Sequence, residues 1–73
     1  MTISYYAIEF ASSGDAIQYA DASAGEAVLL DGKPRVVSQR DAERFAAVGV
    51  EFAYLVDHAM ADGSRRIMAI PIN

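Results

Sequence analysis

Apolar and polar positions change their period several times along the 73 residues. Residues 2–10 alternate, with Tyr6, Ile8 and Phe10 on one side and Tyr5, Ala7 and Glu9 on the other. Period two predicts a strand. From Ser12 the spacing becomes helical, with Ala16, Tyr19 and Ala20 on one face, and it does so again with Ala42, Phe45 and Ala46. Each helical stretch is followed by a strand, an Asp-Gly turn region and another strand. The order is therefore β-αββ-αββ. Two helices of about ten residues are too short to cover both faces of five strands, so both are expected on one face. The predicted fold is α+β: a two-layer sandwich with a five-stranded, largely antiparallel sheet, in one domain over residues 1–73. Pro34 cannot donate to a ladder, which predicts an edge strand for its arm of the first hairpin.

The helix starts echo each other. Residues 12–20 and 38–46 share S-x-x-D-A-x-x-[Y/F]-A. Serine accepts from free N–H groups of the first turn, and aspartate three residues on favours the positive end of the helix dipole. Gly25 and Gly49 read as stop signals. Two helices solving the same capping problem explain the echo as well as an old duplication does.

The second hairpin sets its own register. A three-residue loop Ala61-Asp62-Gly63 places His58 opposite Arg66, Val56 opposite Met68, Tyr54 opposite Ile70 and Phe52 opposite Ile72. One face then runs apolar without a break. A two-residue turn would split the apolar set between faces, and the buried face selects the register. His58, the single histidine, falls where the apolar face ends. Asp57 points to the opposite face, which argues against an Asp57–His58 catalytic dyad. His58, Arg65 and Arg66 remain a possible polar site.

With both helices on one face, Tyr5, Ala7, Leu55, Ile67 and Ala69 are expected together on an open sheet face. That face would be apolar and available to a second copy or a partner.

Composition narrows the function classes. There is no cysteine and one histidine, which argues against disulfides and a structural zinc site; no metal or cofactor is expected. No run approaches the ~18 apolar residues of a membrane span. The first residues lack a signal-peptide pattern, so a cytoplasmic protein with no membrane contact is expected. Residues 1–32 carry Glu9, Asp15, Asp21, Glu26 and Asp31 and no Lys or Arg; residues 33–73 carry six basic residues against five acidic ones. The five carboxylates are candidates for an acidic face that attracts a basic protein partner. No basic stripe suits direct nucleic-acid binding.

The leading expectation is a non-catalytic protein–protein interaction module. In kind, a very small, acidic, cysteine-free domain resembles phage-borne inhibitors of bacterial defence, including anti-CRISPR proteins. The resemblance is carried by size and composition rather than by a residue motif. It implies an inhibitor that binds a protein partner, in some such cases by imitating nucleic acid. One alternative is a small homo-oligomeric enzyme or ligand binder with an intersubunit site around His58 and Arg66, joined by Tyr54 and Arg65. Another is a structural or regulatory subunit of a bacterial assembly.

Overall fold

The computed structural model describes residues 5–73. Its elements are β1 (Ile8–Glu9), α1 (Ser13–Ser23), β2 (Glu26–Leu30), β3 (Lys33–Val37), α2 (Gln39–Val48), β4 (Phe52–Ala59) and β5 (Arg65–Ile72). The five strands form one antiparallel sheet in the order β1-β3-β2-β4-β5. The expected α+β class, element order and strand pairing all hold. Of the expected first strand, residues 2–4 lie outside the described residues.

Both helix starts form as the sequence predicts. The Asp15 N–H donates to Ser12 Oγ at 3.2 Å, and the Asp41 N–H donates to Ser38 Oγ at 3.1 Å. The ends also match. The Gly25 N–H donates to the Ala20 carbonyl, and the Val50 N–H to that of Phe45, bonds that close a left-handed C-terminal turn. In α2 the left-handed residue is Gly49. In α1 it is Ala24, with φ 59°, one residue before the expected glycine. Gly25 is needed for another reason. A Cβ there would lie 3.0 Å from both Val36 Cγ1 and the Val37 carbonyl oxygen. The chain leaves α1 so close to β3 that a side chain here would crowd the strand.

The hairpins follow their turn chemistry. Asp31 and Gly32 both have positive φ, 54° and 75°, as a two-residue primed turn requires. The second hairpin has the register derived above, residue for residue from Phe52↔Ile72 to His58↔Arg66. The Gly63 N–H donates to the Met60 carbonyl, and the Met60 N–H to that of Ser64. Asp62 accepts from both the N–H and the hydroxyl of Ser64. Those bonds hold its carboxyl below the usual carboxylate range.

Two expectations are corrected. Pro34 is not on an edge strand, because β3 lies between β1 and β2. Leu30 and Lys33 flank the two-residue turn and form a hydrogen-bonded pair, so Leu29↔Pro34 is a non-bonded pair. The Pro34 backbone therefore faces β1, where its carbonyl accepts from the Phe10 N–H at 2.9 Å and short β1 ends.

The helices are not on one face. α2 packs Ala42 and Phe45 against Val28, Leu30, Val37 and Phe52. α1 packs Ala16 and Ala20 against Ala27, Val36 and Leu55. Ala27 and Val28 are strand neighbours that point to opposite faces, and both are buried, at 6% and 0% exposure. The sheet is thus sandwiched between α1 and α2. The unbroken apolar run Ala27-Val28-Leu29-Leu30 is the sequence feature that requires it: a strand apolar on both sides needs both sides covered.

The two positions at the end of α1 respond oppositely to a changed Cβ. Gly25→Ala is expected to destabilise the fold by about 1–3 kcal/mol through overpacking against β3. Ala24→Gly is expected to stabilise it by roughly 0.5–1 kcal/mol, because it relieves a left-handed alanine at the cost of added unfolded-chain entropy. Urea melts of the two variants check both signs.

Candidate functional site

Strand lengths decide what is left uncovered. β2 pairs with β4 at Val28↔Tyr54 and Leu29↔Ala53. Beyond Tyr54, β4 continues to Ala59 paired, among the described residues, with β5 alone. The far half of the β4–β5 hairpin is therefore a two-stranded ribbon extending past the rest of the sheet. Every residue of β5 before Ile72 is exposed.

Strand alternation assigns the ribbon's two faces. On the α2 side lie Tyr54, Val56, Met68 and Ile70, ending at the pair His58↔Arg66. Val56, Met68 and Ile70 are 37%, 45% and 46% exposed. On the α1 side lie Leu55, Asp57, Ile67, Ala69 and Arg65. Asp57 and Arg65 form an ion pair at 2.8 Å. Asp57 and His58 thus point apart, as expected, and Arg65 is on the face opposite His58 and Arg66. The possible polar site is accordingly divided: His58 and Arg66 are together and Arg65 is not.

The expected open face is divided too, because helices flank both sides of the sheet. Tyr5 packs edge-on against Phe45 of α2 at 4.9 Å between ring centroids, and Ala7 shares that side by alternation. Leu55, 8% exposed, is buried under α1. Ile67 and Ala69 stay exposed on the α1 side. The exposed apolar row is instead Val56, Met68 and Ile70 on the other face. Sequence reasoning had placed these residues in the core. The available signal was length: five residues of β2 cannot flank eight-residue arms.

The five carboxylates of the first half do not share one surface. Glu9 lies within 3.8 Å of Lys33 Nζ and 3.6 Å of Arg35. Asp15 and Asp21 are on α1, Asp31 is at the tip of the first hairpin, and Glu26 starts β2. Alternation from Val28 places Glu26 on the α2 side. There burial, with the charges of Glu26 and Glu43, pushes the Tyr54 phenol above its ordinary pKa.

A shallow cleft of about 330 Å3 lies between α1 and the ribbon, lined in part by Ile17, Asp21, Leu55, Asp57 and Arg65. Among the described residues no group of three or more His, Cys, Asp or Glu is placed to hold a metal ion. No described helix is long and apolar enough to cross a membrane. Comparison with known proteins finds no matching family model, curated protein or solved structure.

The Tyr54 environment is open to titration. Its raised folded pKa means that stability is fully present below the ordinary tyrosine value and is lost as pH rises through the folded value. Tyr54→Phe is expected to flatten the alkaline limb of the stability curve. Glu43→Gln should move the Tyr54 pKa back toward 10, read by NMR titration of its ring.

Proposed function

We propose that this chain is a non-catalytic protein–protein interaction module whose contact surface is the α2 side of the β4–β5 ribbon. The observation that carries this reading is the row Val56, Met68 and Ile70, exposed beside half-buried Tyr54 on a ribbon that α2 does not cover. Contiguous apolar surface of this kind costs solubility in a lone monomer and is kept where a partner covers it. An aromatic and a methionine at the centre of such a row suit an adaptable contact.

Charge adds a steering role. Residues 52–73 carry two aspartates and two arginines, so the whole net charge of −4 resides on residues 1–51. The acidic field favours a partner with a basic surface and speeds encounter, while the apolar row supplies the contact. Within this class, a phage-type inhibitor that occupies the working surface of a defence protein fits the small acidic frame. The intersubunit-site alternative draws its support from His58 and Arg66 facing each other across the ribbon.

Tagged protein incubated with nuclease-treated host lysate, at low and high salt, tests the reading by mass spectrometry. Capture of one stoichiometric protein partner is expected. Met68→Glu and Val56→Glu should each weaken it more than tenfold with unchanged circular dichroism, and His58→Ala should leave it intact. Capture that survives both glutamates and disappears with salt would move the contact to the carboxylates of the first half. Loss on His58→Ala, with the fold intact, would favour the polar site.

A further inference from the structure

We propose that the free edge of β5 pairs with β5 of a second copy, antiparallel about a two-fold axis at Met68, joining two five-stranded sheets into one of ten. This deepens the interaction-module reading and rests on it only in taking the ribbon as a contact surface.

The hydrogen-bond phase identifies which groups the edge offers. The Met60 N–H donates to the Ser64 carbonyl at 2.7 Å, so the Met60–Ser64 pair is a bonded one. Alternation then makes His58↔Arg66, Val56↔Met68 and Tyr54↔Ile70 the bonded pairs of the hairpin. The backbone groups of Arg65, Ile67, Ala69 and Pro71 point away from β4. Pro71, which has no N–H, sits where β4 requires none. Among the described residues no strand lies on that side of β5.

Edge strands are ordinarily shielded by charge, brevity, bulges or cover. β5 is eight residues long, and Ile67 through Ile70 carry no charge. A second copy fits this edge for four reasons. A two-fold at Met68 pairs Ile67 with Ala69 of the other copy in both directions, setting a large side chain beside a small one. All three outward N–H groups of each strand then find carbonyls, those of Ile67, Ala69 and Pro71. Charge does not oppose the approach. Residues 52–73 are neutral as a set, and the two Arg66 residues are offset along the strands by about 13 Å, beyond the roughly 8 Å screening length of physiological salt.

The fourth reason is complementarity. Arg66 forms no ion pair among the described residues, whereas Arg65 is held by Asp57. In the Met68 register Arg66 lies beside Ile70 of the second copy, which is opposite Tyr54 there. An extended Arg66 side chain is long enough to bring its guanidinium over Ile70 to the Tyr54 ring of the second copy, a cation–π contact that the pairing would create. A two-fold normal to the sheet also keeps each face on its own side, so the two rows of Val56, Met68 and Ile70 merge.

The chain is short enough to synthesise whole, so the edge can be blocked at one atom. N-methylation of Ala69 removes an outward donor and changes no side chain or β4 bond. Sedimentation velocity of the unmodified chain is expected to approach twice 7.8 kDa with rising concentration. The N-methyl chain should associate at least tenfold more weakly with unchanged circular dichroism. The natural chain has no cysteine, so Met68→Cys should oxidise in air to a covalent dimer much faster than Ile70→Cys, since only residue 68 meets itself across the axis. A monomer at every concentration, a species larger than a dimer, or a dimer indifferent to N-methylation would overturn the proposal. Equal oxidation of the two cysteine variants would overturn the register. A monomer that still captures a partner in a Met68→Glu-sensitive way sinks the pairing and leaves the module. An edge-sensitive dimer that captures nothing does the reverse.

Discussion

The constraint on which the fold depends is the handedness of two crossovers. The β1–α1–β2 unit and the β3–α2–β4 unit each step over one strand, in the same direction across the sheet. Their strands run oppositely, since each neighbouring pair is antiparallel. Parallel crossovers strongly prefer one hand. Keeping one hand while reversing strand direction forces the second helix to the other face. The opposed helices and the doubly buried β2 follow from that geometry.

Covering two faces with two short helices uses up the means of so small a chain. Domains of this size bury only roughly 60% of the surface the unfolded chain exposes. Here cover is concentrated where strands are centred: Val28 at 0% and Phe45 at 1% exposure are the best-buried large side chains. α1 meets the sheet through Ala16 and Ala20, close enough that a Cβ on Gly25 would crowd β3. α2 holds its distance through Phe45, whose ring meets those of Tyr5 and Phe52. α1 reaches the far half of the β4–β5 hairpin at Leu55, while Val56, Met68 and Ile70 on the other face stay exposed. The exposed apolar row is thus the remainder of a covering problem, placed at one end of the molecule.

What could be read from the sequence was local. Ser12 and Ser38 were recognisable as caps because a side-chain oxygen three residues ahead of a free N–H has one obvious use. The hairpin register from Phe52 to Ile72 followed from period two and a glycine able to take positive φ at Gly63. Strand order was not legible, since it depends on partners far apart in the chain, and without it the faces of Tyr5 and Leu55 could not be related. Pro34 shows the same limit: its missing donor excluded a bonded position toward a neighbour, and the short β1 supplies such a place inside the sheet. The serine-capped echo likewise stops at the helix ends.

The unequal cover also fixes an order of opening. β2 and β3 have a strand on each side, and their cores are closed from above and below. The ribbon beyond Leu55 is held by the β4–β5 ladder, the Asp57–Arg65 pair and the Asp62–Ser64 turn. Its amides can exchange with solvent through excursions far smaller than global unfolding. The molecule therefore combines a slow-exchanging centre with a pliant arm, and the arm can adjust its twist to a binding surface while the centre keeps its shape.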